Sequence, residues 1–85
     1  MQDKWKNWLE LHRDLWVENE VTRTLTTLVP DIELAIGIYA AFGSRSLVWL
    51  ESGYLPTLGM KPKETLNSVD GISKLKSFLV TVHGF

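Results

Sequence analysis

The chain has 85 residues, a formal charge of −1 and no cysteine. A chain of this length fits one domain, and without cysteine it has neither a disulfide framework nor a cysteine-based zinc site. The near-neutral charge shows no strongly basic nucleic-acid-binding surface, and the longest apolar run is far too short to span a membrane.

The amino-terminal stretch, MQDKWKNWLE, mixes charges with tryptophan and has no apolar signal-peptide core. The lack of cysteine suits a reducing compartment. Both features predict a cytoplasmic protein.

Residues 3–17 are predicted to form the first helix, because their apolar side chains recur at helical spacing on one stripe. Asp3 can cap this helix. We expect the tryptophans of the stripe to pack in the core. A tryptophan interface, including one between two copies of the chain, is the alternative, since tryptophan is enriched at interfaces. The stripe comprises Trp5, Trp8, Leu9, His12, Leu15 and Trp16.

Pro30 marks the clearest boundary in the amino-terminal half, since a residue before proline avoids the helical region. Residues 19–28 are predicted to form the second helix, although four threonines lower its helix propensity. Residues 31–42 are predicted to form a central third helix, because its small residues permit close approach of neighbouring helices. The apolar faces consist of Val21, Leu25 and Leu28 in the second helix and Ile32, Ala35, Ile38, Tyr39 and Phe42 in the third.

Glycines punctuate the next part of the chain. Gly43 is predicted to stop the third helix, and Ser44 to cap a helix over residues 45–52 that ends at Gly53. Residues 54–60 form an apolar loop, which we expect to pack on the core rather than extend into water.

The carboxyl-terminal part contains two further predicted helices. Pro62 suits the first position of a short helix over residues 62–67, and Ser68 can cap a last helix over residues 69–82. Lys74 and Lys76 are expected to face water. The apolar face of the last helix consists of Ile72, Leu75, Phe78, Leu79 and Val82. Altogether the pattern predicts an all-α fold, a small single domain of five or six short helices.

Patterns for catalysis or metal binding are not evident in this sequence. His12 and His83 have no partner at metal-ligand spacing, and His12 is interpreted as a structural residue. There is no nucleophile elbow, no phosphate-binding glycine loop and no paired carboxylates. We therefore predict a protein that is not an enzyme and takes no cofactor or metal.

A helix-turn-helix is the first rival interpretation. The stretch AFGSRSLVWL has the short glycine-containing turn that such a motif needs. Its second helix is apolar, however, and offers only Arg45 to read bases. Direct nucleic-acid binding is therefore not expected, and a small DNA-binding regulator remains an alternative.

Short motifs follow one another in a defined order between residues 32 and 85: a helix ending in Phe-Gly, a Trp-Leu helix, a Leu-Gly-x-x-Pro turn, a glycine-started helix and a closing His-Gly. These elements comprise Phe42, Gly43, Trp49, Leu50, Leu58, Gly59, Pro62, Leu66, Gly71, Leu75, Leu79, His83 and Gly84. Their order resembles the toxin-binding domain of the Xre/MbcA/ParS antitoxin family. Met60 stands where that family commonly has a second glycine.

The resemblance implies two regions, a Trp-rich helical extension over residues 1–30 and a toxin-binding-like helical domain over residues 31–85. It implies a non-catalytic antitoxin that binds and blocks a RES-type, NAD-degrading toxin. The last helix and the carboxyl terminus would enter the toxin's active-site cleft, where a terminal Gly-Phe carboxylate is narrow and anionic enough to fill a pocket for a phosphate-bearing ligand. The implied partner-binding residues are Lys74, Phe78, Val82, His83, Gly84 and Phe85.

One further alternative shares this chemistry and differs in the partner. The chain would then be a phage- or plasmid-type interaction module that inhibits some other protein complex. A neighbouring toxin gene would favour the antitoxin, whereas a phage operon without one would favour the interaction module.

Overall fold

The structure is a computed structural model that describes residues 4–55 and 59–83, the last two of these by their backbone only. These residues form an all-α fold, as predicted, with two short 3₁₀ turns and an isolated bridge between Leu55 and Met60. The helices are α1 (Lys4–His12), α2 (Glu20–Leu28), α3 (Ile32–Phe42), α4 (Ser46–Ser52), α5 (Pro62–Thr65) and α6 (Val69–His83).

The second helix forms despite its four threonines, and a cap at its amino terminus stabilises it. The Asn19 side chain accepts a hydrogen bond from the Thr22 N–H at 3.0 Å, and the Thr22 hydroxyl accepts one from the Asn19 N–H at 2.9 Å. This reciprocal pair satisfies two N–H groups that a helix start leaves without partners. The threonines are satisfied too: the Thr24 hydroxyl, for example, donates to the Glu20 carbonyl oxygen.

The first helix is shorter than predicted. It ends at His12, where the ring Nδ1–H donates to the Trp8 carbonyl oxygen at 2.8 Å, and residues 13–15 form a 3₁₀ turn. A 3₁₀ turn has three residues per turn instead of the 3.6 of an α-helix, so the apolar stripe is interrupted after His12 and Leu15 is exposed to solvent. The structural role predicted for His12 agrees with this bond.

The start of α4 also differs from the prediction. Its N-cap position is Arg45 rather than Ser44, and no side chain caps it. A 3₁₀ turn over Gly43–Arg45 moves the helix start, and the buried Ser46 hydroxyl donates to the Gly43 carbonyl oxygen at 2.6 Å. The short helix α5 ends at Thr65, two residues before the predicted boundary.

The third helix is central, as predicted, because it contacts α1, α2, α4 and α6. Two residues assigned to apolar faces, Leu28 and Ile32, are instead exposed, since they are the terminal residues of α2 and α3 at the turn between these helices. The buried core joins residues from both halves of the chain: Trp8, Leu25, Val29, Leu34, Ala35, Ile38, Leu50, Leu55, Leu75 and Leu79.

Gly71 lies in the first turn of α6, where this helix packs against Thr65 at the end of α5. A Cβ at this position would come within 2.3 Å of the Thr65 carbonyl oxygen. Gly71 also receives the predicted cap, because its N–H donates to the Ser68 hydroxyl at 2.9 Å. The glycine is therefore required by close packing of the backbone.

This contact reverses the usual sign of a glycine substitution in a helix. Gly→Ala in a helix interior normally stabilises by about 0.5–1 kcal/mol, whereas Gly71→Ala is expected to lower the free energy of unfolding by about 1–3 kcal/mol through overpacking. Urea denaturation followed by circular dichroism measures the change. Ser73→Ala, at an exposed position of the same helix, is the control and should change stability little. A stabilised Gly71→Ala would contradict the contact.

Candidate functional site

Three aromatic rings from three helices lie in one stack on the surface of the domain. The ring centroids of Phe42 and Trp49 are 4.1 Å apart with planes at 20°, and those of Trp49 and Phe78 are 6.4 Å apart at 15°. Each ring is partly buried and packs against the core. The stack therefore joins the end of α3 to the middle of α4 and the middle of α6, and it leaves part of each ring accessible.

Two glycines shape the chain around Trp49. Gly43, with φ of 57°, turns the backbone from α3 toward α4 in a conformation that side chains with a Cβ rarely adopt. Gly53 follows α4, and a Cβ there would come within 2.5 Å of the Trp49 carbonyl oxygen and 2.9 Å of the indole ring. The Phe-Gly and Trp-Leu elements of the predicted motif thus form one local unit.

An open groove of about 390 Å³ borders the aromatic stack. Phe42, Trp49 and Val48 supply its apolar surface, and Arg45 and Ser52 supply polar groups. Val48 is 65% exposed and lines the groove together with the Phe42 and Trp49 rings, so the three residues form one accessible apolar patch. We call this surface, formed by Phe42, Arg45, Val48, Trp49 and Phe78, the aromatic face.

The sequence does not assign Val48 to a binding surface, and it suggests Arg45 only as a base-reading residue of the helix-turn-helix alternative. A signal for Val48 was present, since a run of four apolar residues over 47–50 cannot point to one side of a helix. Leu50 occupies the buried side, which leaves Val48 outward. Arg45 carries no such signal, because only the 3₁₀ turn after α3 brings it to the rim of the groove.

The predicted motif residues are distributed between the core and the aromatic face. Leu50, Leu75 and Leu79 are buried, Pro62 occupies the first turn of α5, and Gly59 has φ of 66° in the turn before it. Leu58 lies outside the described residues. The motif order thus corresponds to a set of structural contacts along α3 to α6.

The predicted partner-binding residues are only partly described. Phe78 belongs to the aromatic face, and Lys74 is exposed one helical turn before it, paired with Asp70 at 3.1 Å. Val82 and His83 continue α6, but their side chains lie outside the description, as do Gly84 and Phe85. The geometry therefore brings Phe78 together with Trp49 and Phe42.

The turn before α5 is built by backbone and carboxylate bonds. The Leu55 N–H donates to the Met60 carbonyl oxygen at 2.8 Å, and the Lys61 N–H donates to the Glu64 carboxylate at 2.7 Å. Of the apolar loop predicted over residues 54–60 to pack on the core, Leu55 is buried, whereas Tyr54 is 60% exposed and residues 56–58 lie outside the described part of the chain. Across α4 and α5, the Lys63 ammonium donates to the Glu51 carboxylate at 2.9 Å and lowers the pKa of Glu51.

The prediction that Lys76 faces water is wrong. Its side chain is only 23% exposed, its ammonium lies 2.8 Å from the Asp31 carboxylate, and it stands 5.5 Å from the centroid of the Trp5 ring. Burial opposes ionisation of Asp31, but hydrogen bonds from Lys76 and from the Leu34 and Glu33 N–H groups outweigh it and lower the pKa of Asp31. Lys76 lies on the side of α6 that contacts Trp5 of α1 and Asp31 at the start of α3. The periodicity of α6 alone does not reveal which helices lie beside that side.

Among residues 4–55 and 59–83 no group of three or more histidine and carboxylate side chains could hold a metal ion. None of the helices in this part of the chain has the length and apolarity needed to cross a bilayer.

Comparison with protein-family models, curated proteins and solved structures finds no match to this chain.

Proposed function

We propose that this chain is a non-catalytic, cytoplasmic antitoxin that binds a RES-type, NAD-degrading toxin through the aromatic face and the carboxyl-terminal part of α6. One observation carries the proposal: Phe78 of the implied partner-binding set stacks on Trp49, which in turn stacks on Phe42 of the implied motif. Partly buried aromatic rings with an arginine at their rim have the composition of interface hot spots.

The accessible chemistry of this face suits protein binding better than catalysis. Val48 and the three rings offer apolar area, which gains free energy when a partner removes it from water. Arg45 offers hydrogen-bond donors to a partner carboxylate or carbonyl group. The face includes no histidine, cysteine or carboxylate that could act as an acid, base or nucleophile.

The function is tested by inhibition of NAD loss. The purified chain is titrated into a panel of RES-type toxins, and NAD consumption and complex formation by size exclusion are measured together. Suppressed NAD loss with a stable complex supports the antitoxin. Removal of Phe85 is expected to weaken the inhibition, and an undiminished effect would contradict a role for the terminus. Failure to bind any toxin of the panel would contradict the toxin assignment.

The aromatic face itself is tested by a charge placed on it. Val48→Glu is expected to weaken toxin binding at least about tenfold, because the complex would have to bury an unpaired carboxylate among aromatic rings. The Val48 side chain makes few core contacts, so the variant should stay folded. Affinity is measured by calorimetry, with circular dichroism as the check on folding.

Val69→Glu is the matched control for this variant. Val69 begins α6, is 86% exposed and does not belong to the aromatic face. Its substitution should leave affinity within about twofold. Equal affinities of the two variants would exclude the aromatic face as the binding surface while leaving the inhibition result unaffected.

If no toxin of the panel binds but the aromatic face binds a different protein, the result supports the interaction-module alternative. That alternative also uses the aromatic face and differs only in the partner. A DNA-binding regulator has less support, because α4 presents Val48 and Trp49 beside Arg45, and apolar side chains give no phosphate contacts.

A further inference from the structure

One wall of the groove beside the aromatic face is formed by a single side of α4 and by the residue before this helix. The residues on that wall follow one another at intervals of three, one and three positions: Arg45, Val48, Trp49 and Ser52. Residues three and four positions apart in a helix are neighbours on its surface. The Arg45 side chain therefore begins directly beside the apolar surface of Val48 and Trp49.

Arg45 carries a charge that no described residue neutralises. Its side chain is exposed and forms no ion pair, hydrogen bond or ring contact within residues 4–55 and 59–83. Arg13 and Arg23, by contrast, each have a carboxylate oxygen nearby, at 3.2 and 3.6 Å. Among the described residues that line the groove, no other side chain is ionisable. The positive charge at the groove is therefore balanced by solvent alone.

The indole of Trp49 supplies a second hydrogen-bond donor beside this groove. Its Nε1–H has no acceptor among the described residues and, unlike that of Trp5, is accessible to solvent. The edge of the ring that carries Nε1 lies against Gly53, where a Cβ would stand 3.1 Å from Nε1. Gly53 also lines the groove, so the absence of a side chain there leaves the indole edge uncovered. The Ser52 hydroxyl, by contrast, already donates to the Val48 carbonyl oxygen at 3.0 Å.

A partner that covers the aromatic face would also remove water from the Arg45 guanidinium. A charge that loses its water without gaining a counter-charge is strongly unfavourable. A carbonyl oxygen would restore hydrogen bonds but leave the charge unbalanced, whereas a carboxylate restores the hydrogen bonds and balances the charge. The partner group that fits this position is therefore a carboxylate, flanked by apolar groups that cover Val48 and Trp49.

We propose that the groove binds an acidic side chain, aspartate or glutamate, of the protein that docks on the aromatic face. The carboxylate accepts hydrogen bonds from the Arg45 guanidinium and the Trp49 Nε1–H, and apolar groups next to it pack on Val48. A phosphate group fits less well, because a single guanidinium leaves part of its higher charge unbalanced. The inference rests on the aromatic face being the binding surface proposed above, but not on the partner being a toxin.

The test uses two peptides that differ in one charge, acetyl-Leu-Glu-Leu-amide and acetyl-Leu-Gln-Leu-amide. Each is titrated into the isotope-labelled full chain, and the indole N–H signal of Trp49 is followed by NMR. Trp49→Phe identifies this signal by its loss. The glutamate peptide is expected to bind at least about threefold more tightly than the glutamine peptide. Equal affinities, or shifts confined to the indole signals of the other tryptophans, would overturn the proposal.

Arg45→Gln tests where the carboxylate binds. This variant is expected to lose the preference for the glutamate peptide, whereas Arg23→Gln, the same change at an exposed position outside the groove, should keep it. Circular dichroism checks that both variants are folded. A preference that persists in Arg45→Gln, or that both variants lose equally, would overturn the proposal. Tighter binding of inorganic phosphate than of the glutamate peptide at the Trp49 signal would also overturn it.

The peptides separate this inference from the antitoxin function. If no RES-type toxin binds but the glutamate peptide is preferred through Arg45, the toxin assignment fails and the carboxylate site is supported. If a toxin binds through the aromatic face with equal affinity for the parent chain and Arg45→Gln, the function is supported and the carboxylate site is overturned.

Discussion

Replacing Trp8 with alanine is expected to lower the free energy of unfolding by about 3–5 kcal/mol, the largest effect of any single substitution considered for this chain. Trp8 is 1% exposed and belongs to the core that α3 and α6 build. Its ring lies 5.6 Å from that of Trp5 and 5.0 Å from the His12 imidazole. Removing the indole leaves a cavity between α1, α3 and α6, which cannot close because each of these helices is held by its contacts with the other two.

The loss is large compared with the stability of so small a domain. At about 0.05–0.15 kcal/mol per residue, a chain of this length is stable by only about 4–13 kcal/mol. Trp8→Ala is therefore expected to leave a substantial unfolded fraction near physiological temperature. Urea denaturation gives the free energy, and amide hydrogen exchange tells whether α6 loses protection together with α1.

Leu11→Ala is the control in the same helix, since Leu11 lies three residues further along and is 64% exposed. It should change the free energy of unfolding by less than about 0.5 kcal/mol. If Trp8→Ala were equally mild, or if only α1 lost protection, residues 4–12 would behave as an attached extension rather than as part of the core.

Replacing Asp31 with alanine is expected to lower the free energy of unfolding by about 2–3 kcal/mol, because one carboxylate serves two purposes. It accepts hydrogen bonds from the Glu33 and Leu34 N–H groups at 3.0 and 3.3 Å and so caps α3. It also pairs with the partly buried Lys76 ammonium at 2.8 Å. The substitution leaves the start of the central helix uncapped and a lysine without its partner.

Asp31→Asn separates the two contributions. The amide oxygen can still cap α3, whereas the ion pair with Lys76 is lost, so this variant should lose about half as much as Asp31→Ala. Asp70→Asn is the control, because the Asp70–Lys74 pair is exposed and should contribute under about 0.5 kcal/mol. Equal losses for Asp70→Asn and Asp31→Asn would contradict a special role for the Asp31–Lys76 pair.

The same pair has a defined pH dependence. The folded-state pKa of Asp31 lies below its ordinary value of 3.8, so ionised Asp31 stabilises the fold fully above that value. The contribution declines as the pH falls through the lowered folded-state pKa. The difference in unfolding free energy between the parent chain and Asp31→Asn should therefore be constant near neutrality and shrink below about pH 4.

Much of the helical architecture could be predicted from local patterns. Pro30, Asp31, Gly43 and Gly53 mark helix boundaries because proline and glycine act on their own backbone and Asp31 bonds to the residues that follow it. The apolar period of α6 predicted Leu75 and Leu79 in the core. The predicted helix boundaries are wrong after His12 and before Ser46, where a 3₁₀ turn adjoins the α-helix, because such turns have no strong local sequence signature.

The sequence by itself thus determined the all-α class, the order of the helices and most core positions, because these follow from interactions within a few residues of the chain. Only the tertiary structure decided which surfaces those helices build. The stacking of Trp49 on Phe78 joins residues 29 positions apart, and the contacts of Lys76 with Asp31 and Trp5 join residues 45 and 71 positions apart. Such contacts depend on how helices cross, which a periodic pattern along one helix does not encode.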